Sequence, residues 1–264
     1  MWLAFDLGTS GVRAAVLDND GKIVRSAVEP YPTHIANGGV VEQEVSDWWR
    51  ALVTAARVVD GEVTKIVLTG QMQDLILLNE RGEPLRPAIL YSDMRAQAEA
   101  AAIIERVGKE RLIALTGNEQ SADSLWAKAL WLKRNQLDLL STAKILLFSP
   151  ADYAAYKITG NAVTDTTTAS TTGLMMLRGR RWLDRATLEE FGSGEIGPRL
   201  WLSRHERLDR LQRCAAWLVG AGRFHTGAYP PDQYIHVAPL LTAGGNLEWV
   251  RDLFGEVECG GLID

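Results

Sequence analysis

The first thirty residues read as three strands joined by two tight turns, and no other feature restricts the fold as much. LAFDL and VRAAVLD are separated by Gly8-Thr9-Ser10-Gly11, and VRAAVLD is separated from KIVRSAVEP by Asn19-Asp20-Gly21. Glycine and small polar residues between apolar runs mark hairpins. A helix is predicted next over WWRALVTAARVV, with Ser46 and Asp47 where an N-cap belongs and Trp48, Leu52 and Ala56 on one face. The strand KIVLTG follows. Three antiparallel strands, a helix and a further strand imply an α/β protein with a mixed β-sheet flanked by helices, because a simple doubly wound parallel sheet does not begin with two hairpins.

Farther along, DLILLNERGEPLRPAILY reads as another hairpin around Glu80-Arg81-Gly82. Helical periodicity runs through AQAEAAAIIERVGKERLIAL and SLWAKALWLKRNQLDLL, and AKILLF reads as a short buried strand. Beyond residue 178 the stretches GRGRRWLD, FGSGEIGP and SRHERLDRLQR are polar or basic with few strand signals, which sets a domain boundary between 1–178 and 179–264. The tail reads as a helix CAAWLVGAG, a Pro-rich loop GAYPPDQ, a strand YIHVAPLL and a helix NLEWVRDLFG.

Composition excludes several classes. A formal net charge of −5 without a basic run argues against nucleic acid or an anionic membrane as partner. No apolar run approaches the roughly 18 residues of a membrane span, and the two cysteines, Cys214 and Cys259, lack metal-ligand spacing, so a cytoplasmic protein is expected. His34, His205, His225 and His236 form no ligand pattern. The nine tryptophans are scattered and read as core residues.

The first turn carries chemistry. Gly8, Thr9, Ser10 and Gly11 let backbone amides and two hydroxyls approach a polyanion, and Asp6 at the end of the first strand can hold Mg²⁺ through water. The same residues also make an ordinary hairpin; their place between two apolar strands at the start of the chain favours the anion-binding reading.

With these residues in hand, a family resemblance appears. FDLGTSGVRAAVLD, followed by GQMQDLILLNERGEPLRPAILYSDMRA, resembles the N-terminal domain of the FGGY carbohydrate kinases, xylulokinase-like members in particular. The similarity continues through Thr116–Asn118, Lys128–Asn135, Ser149–Gly160 and Thr164–Leu177. The resemblance implies an actin-like ATPase, ribonuclease-H-like fold in two domains, with ATP and sugar meeting between them. It implies transfer of the γ-phosphoryl group of Mg-ATP to a sugar or polyol hydroxyl, which needs positioning, charge neutralisation and a carboxylate to take the proton. Phosphate and metal contacts carry over to Asp6, Gly8, Thr9, Ser10 and Arg13, with Asp6 on Mg²⁺. The sugar-contacting pair lands on Met72 and Gln73, where xylulokinase-like members have Met-His; glutamine can bond a hydroxyl but cannot gain a charge.

Asp93 takes the acidic position of Tyr91-Ser92-Asp93, with Arg95 after it, and a carboxylate there can accept from vicinal hydroxyls. The alternative is a surface aspartate capping a helix. Lys128 matches a signature lysine and reads either as a site residue or as a solvated lysine on an amphipathic helix. Asp152, Tyr153 and Asp165 read as turn and helix caps.

The resemblance breaks toward the end. Aligning the family's second-domain glycines on Gly220 and Gly222 puts Arg213 where the proton-accepting aspartate stands, and an arginine stays protonated. No motif selects Asp209, Asp232 or Asp252 as a replacement, so the base is unassigned. A phosphate-binding loop is not found, and Asp264 falls before the family's adenosine region, so an incomplete second domain is expected. Three readings follow: a kinase with impaired chemistry, a catalytically inactive sugar-binding or regulatory homologue, and a truncated gene product. A small-molecule sugar or polyol is the expected partner, and pairing of two copies as a homodimer is left open.

Overall fold

The computed structural model describes residues 1–59 and 62–191. Strands β1 (Trp2–Leu7), β2 (Gly11–Leu17) and β3 (Ile23–Pro30) form the two expected hairpins. A short pair, β4 (His34–Ala36) and β5 (Val40–Gln43), leads into helix α1 (Val45–Val58). Strand β6 (Lys65–Gly70) then lies parallel to β1 on its free edge, giving the mixed sheet order β3-β2-β1-β6.

The helix begins earlier than its sequence suggested. Glu44 is the N-cap residue, without a side-chain cap bond, and Asp47 sits inside the first turn, 2.9 Å from Arg50. There its negative charge faces the positive end of the helix dipole, which is favourable without capping. Trp48, Leu52 and Ala55 are buried against the sheet, whereas Ala56 is only partly covered.

Strands β7 (Ile76–Leu78) and β8 (Ala88–Ile89) flank the expected turn at Glu80–Gly82, and their arms join as an irregular hairpin through Asn79 N–H to Glu83 O, Leu85 N–H to Leu77 O and reciprocal Leu75–Ile89 bonds. In addition β8 pairs with β5, and β7 pairs with β9 (Ile145–Leu147). Pro84 and Pro87 remove ladder donors from the returning arm, which keeps a regular hairpin from closing. The alternation in this region separates two apolar cores. Leu75, Leu77 and Ile89 face one and Ile76, Leu78, Ala88 and Leu90 face the other, as the period of two requires of a strand buried on both sides.

The long helical run splits at Gly108 into α2 (Gln97–Val107) and α3 (Lys109–Thr116). The next run splits at Gln136 into α4 (Leu125–Asn135) and α5 (Leu137–Thr142). After β9 come α6 (Pro150–Thr159), α7 (Thr166–Thr171), the pair β10 (Met175–Met176) and β11 (Arg181–Trp182), and α8 (Arg185–Glu190). Leu183, Leu188 and Phe191 join the core around α4, with Phe191 tilted against Trp126 at 5.9 Å between centroids.

Asp165 has the helix-capping role read from the sequence, whereas Asp152 lies in the first turn of α6 and bonds the chain just before it. Ser149 caps α6 by accepting from the Asp152 N–H, while the buried Asp152 carboxylate accepts from the Phe148 N–H at 3.1 Å. Asp165 caps α7 through the N–H groups of Thr167 and Thr168. Burial, helped by the charge of Asp165, pushes the Asp152 carboxyl up to about 7. The folded state therefore retains a proton that the unfolded chain has released, and the associated stability is lost as pH rises from about 4 through 7. Asp152→Asn is expected to reduce this fall, measured as the difference between urea midpoints at pH 5 and pH 8. An equal fall in the variant would remove Asp152 as its source.

Candidate functional site

Parallel pairing of β1 with β6 sets Asp6 beside Thr69 and Leu7 beside Gly70, so the loops leaving both strands emerge together. Gly70 permits this approach, since a Cβ there would lie 2.4 Å from the Leu7 carbonyl oxygen. Across the hairpin Asp6 faces Arg13, with 3.6 Å between Oδ2 and the guanidinium, and both side chains are substantially exposed.

The turn itself is held from one side. The Tyr31 hydroxyl donates to the Gly8 carbonyl, the Gln43 amide to the Thr9 carbonyl at 2.6 Å, and the Tyr31 N–H to the Ser10 carbonyl at 3.3 Å. In a trans peptide the N–H points opposite the C=O. The N–H groups of Thr9, Ser10 and Gly11 are therefore directed away from Tyr31 and Gln43. Among the described residues only the Gly11 oxygen, at 3.7 Å, stands near the place a Cβ on Gly8 would take, whereas a Cβ on Gly11 would meet Glu29 O at 2.6 Å. Successive outward amides, two hydroxyls and an uncrowded glycine suit an anion. Burial, with the charges of Asp74 and Asp6, raises the Tyr31 pKa and keeps its hydroxyl a donor.

Gln43 uses both ends of its buried amide. Its Nε2 also donates to Thr33 Oγ1 at 2.7 Å, and its Oε1 accepts from Trp48 Nε1 at 2.8 Å and Gln71 Nε2 at 3.1 Å. Gln71 in turn donates its N–H to the Leu7 carbonyl at 2.9 Å. Met72 is partly buried. Gln73 has a φ of 68°, a left-handed conformation uncommon for a residue with a Cβ, and its Nε2 lies 3.4 Å from the Thr171 carbonyl.

Asp93 is fully buried rather than a surface cap. Oδ2 accepts from the Val41 N–H at 2.7 Å, and both oxygens accept from Arg95, whose guanidinium also reaches Glu42 at 2.6 Å. Arg86 pairs with Glu42 as well, and Arg95 stacks over Trp131 at 4.9 Å. Burial disfavours the charged Arg95, yet its bonds to Asp93 and Glu42 outweigh that, and its pKa is raised.

Lys128 is wholly buried on α4, not a solvated lysine. Its Nζ donates to the Leu90 carbonyl at 2.6 Å and the Tyr91 carbonyl at 3.3 Å. Burial lowers its pKa to about 8 against the opposing pull of Asp74 and Asp93. Asp74, also fully buried, accepts from the Tyr91 N–H at 2.9 Å through Oδ1, and burial pushes its carboxyl up to about 8. The Tyr91 hydroxyl lies 3.2 Å from Thr9 Oγ1, so one residue touches the hairpin, Asp74 and Lys128.

The hairpin residues Asp6, Gly8, Thr9, Ser10 and Arg13 thus stand together, beside the strand end that carries Met72 and Gln73. Asp93 and Arg95 form a buried ion pair. Sequence reasoning missed Tyr31, Gln43 and Asp74; of these only Asp74 carried a signal, an acid directly before the apolar run Leu75–Leu78. Arg213, Cys214, Cys259, His205, His225, His236, Gly220, Gly222, Asp209, Asp232 and Asp252, with the tail's predicted elements, lie outside the described residues. Among the described residues no three His, Cys, Asp or Glu side chains could together hold a metal, and no helix is long and apolar enough to cross a membrane. Asp6 fits Mg²⁺ only as a single carboxylate beside water and phosphate oxygens, a set this ion accepts.

Residues 1–200 match the FGGY family of carbohydrate kinases, N-terminal domain. A xylulose kinase of Klebsiella pneumoniae is 32% identical over 253 residues, covering 93% of this chain and 48% of that protein. A solved xyloylose kinase from Brucella ovis superposes with a TM-score of 0.66 at 31% identity, over 73% of this chain and 41% of that one. For a gluconate kinase from Lactobacillus acidophilus the TM-score is 0.67 at 26% identity, with 74% and 40% covered. The chain spans half or less of the length of these relatives. The architecture is the actin-like ATPase, ribonuclease-H-like fold of these kinases, and the chain belongs to the FGGY family of carbohydrate kinases.

Proposed function

We propose that this chain is a xylulokinase-like carbohydrate kinase that phosphorylates a sugar or polyol hydroxyl with ATP and Mg²⁺. The observation that carries the reading is the parallel register of β1 and β6, which sets an anion-suited turn beside the loop bearing Met72 and Gln73. ATP supplies the transferred phosphoryl group. Thr9, Ser10 and the amides of the turn bind its phosphates, Arg13 lends positive charge, and Asp6 orients the metal's water shell. Met72 and Gln73 face the sugar, with Gln73 offering both a donor and an acceptor to hydroxyls, while the buried Asp93–Arg95 pair supports that wall from behind instead of touching the sugar as the resemblance implied. Residues beyond 200 are proposed to belong to the ATP-side domain, later than the boundary at 178 read from the sequence, since the N-terminal domain match runs to 200 and Leu183, Leu188 and Phe191 join the core around α4.

Sugar binding is the direct test. A ligand at a hundred times its Kd contributes about 2.7 kcal/mol, a rise in Tm on the order of 5–10 °C for a chain of this size. Xylulose, gluconate and a panel of pentitols should include at least one such ligand, and Gln73→Ala should weaken its binding about tenfold, the worth of one hydrogen bond. No shift across the panel would defeat the reading. A second reading, a sugar-binding homologue without turnover, is favoured by Arg213 at the aligned position of the base. It predicts the same shift with no ADP released.

A further inference from the structure

Two acceptors beneath the site, Asp74 Oδ2 and Gln71 Oε1, are buried without a hydrogen-bond partner among the described residues, although the two side chains lie close enough to interact. Two carbonyl-type oxygens cannot satisfy each other, and an orphaned buried acceptor costs about 1–3 kcal/mol. A proton on Asp74 resolves both.

We propose that Asp74 is a neutral carboxylic acid in the folded protein, donating from Oδ2 to Gln71 Oε1, and that it acts as a positioning residue for the phosphate hairpin. Two routes lead from it to Thr9. Through Oδ1 it fixes the Tyr91 N–H, and the Tyr91 hydroxyl meets the Thr9 hydroxyl. Through Gln71 it fixes an amide chain, since Gln71 Nε2 donates to Gln43 Oε1 and Gln43 Nε2 donates to the Thr9 carbonyl. A proton on Asp74 sets which way the Gln71 amide faces, and so aligns the chain that holds the turn.

The charged and titratable groups around Asp74 are consistent with this. Lys128 on α4 and the Gln71 amide favour the carboxylate, but Lys128 is held by the Leu90 and Tyr91 carbonyls and the Gln71 Nε2 by Gln43 Oε1. Asp152 on α6 disfavours it, and Tyr31 beyond β3 resists ionising beside Asp74. Asp93 and Arg95 act on the Lys128 side. Burial outweighs them all and keeps the proton on Asp74 up to about pH 8. The inference goes beyond the kinase reading and holds whether or not the chain turns over a substrate.

Asp74→Asn separates the alternatives, because an asparagine reproduces the neutral acid: its oxygen accepts from Tyr91 and its amide donates to Gln71. The expected result is an unchanged urea midpoint at pH 6 and loss of one protonated-carboxyl band in the infrared difference spectrum against wild type. By NMR, the Thr9 and Ser10 amide resonances should move between pH 7 and 9 in wild type and clearly less in the variant, where Lys128 still titrates in that range. Asp74→Ala should disturb those resonances at every pH, with Asp74→Asn restoring them. A large loss of stability in Asp74→Asn would mean an ionised partner of Lys128 and would overturn the proposal. So would an unchanged carboxyl band, or hairpin resonances indifferent to pH in wild type.

Discussion

Arg95→Ala is expected to destabilise the described part of the chain by about 3–5 kcal/mol, the usual consequence of stranding a buried charge. Arg95 supplies both oxygens of the fully buried Asp93 with donors and also holds Glu42. Without it Asp93 retains the N–H groups of Val41 and residue 95, and Glu42 retains Arg86. Lysine should not rescue, because a compact ammonium cannot bridge two carboxylates and cover Trp131 as the planar guanidinium does. Adding Asp93→Asn to the alanine variant should recover part of the loss, since it removes the stranded charge. Urea denaturation of the single and double variants checks this; additive losses would show that the two residues act independently.

Gly70→Ala is expected to destabilise by about 3 kcal/mol, at the upper end for overpacking. The new Cβ would lie 2.4 Å from the Leu7 oxygen and 3.0 Å from its carbon, so the obstruction is backbone and cannot rotate aside. Relief requires β1 and β6 to separate at the ends that carry the two site loops. Sugar affinity should therefore fall more steeply than stability alone accounts for, as read by calorimetry on the folded fraction. A variant that melts like wild type would mean that the strands do not approach this closely.

Much of the scaffold was legible because its signals are local. The two opening hairpins follow from Gly8–Gly11 and Asn19–Gly21, and α1 from its apolar spacing. The errors have a common origin. Val45 begins the helix because it must bury against the sheet, which overrides the better capping chemistry of Ser46 and Asp47. The arms around Glu80–Gly82 do join, irregularly because prolines remove donors from the return arm, but local alternation gives no sign that they also pair with β9 and β5. Lys128 looked ambiguous on its helix because periodicity cannot register that α4 is buried almost all round.

Residue order and type alone determined the hairpin with its glycines and hydroxyls, the alternation of strands and helices, and the family whose motifs recur through Leu177. Those properties depend on neighbours a few positions apart, where backbone sterics and periodicity suffice. Only the tertiary structure decided that Asp93 is sealed behind Arg95, that Tyr31 and Gln43 grip the turn, and that Asp74 and Lys128 share an interior with Tyr91 between them. The reason is dielectric: a carboxyl or an ammonium acquires its character from how much water is withdrawn and which dipoles replace it, and those dipoles come from segments far apart along the chain.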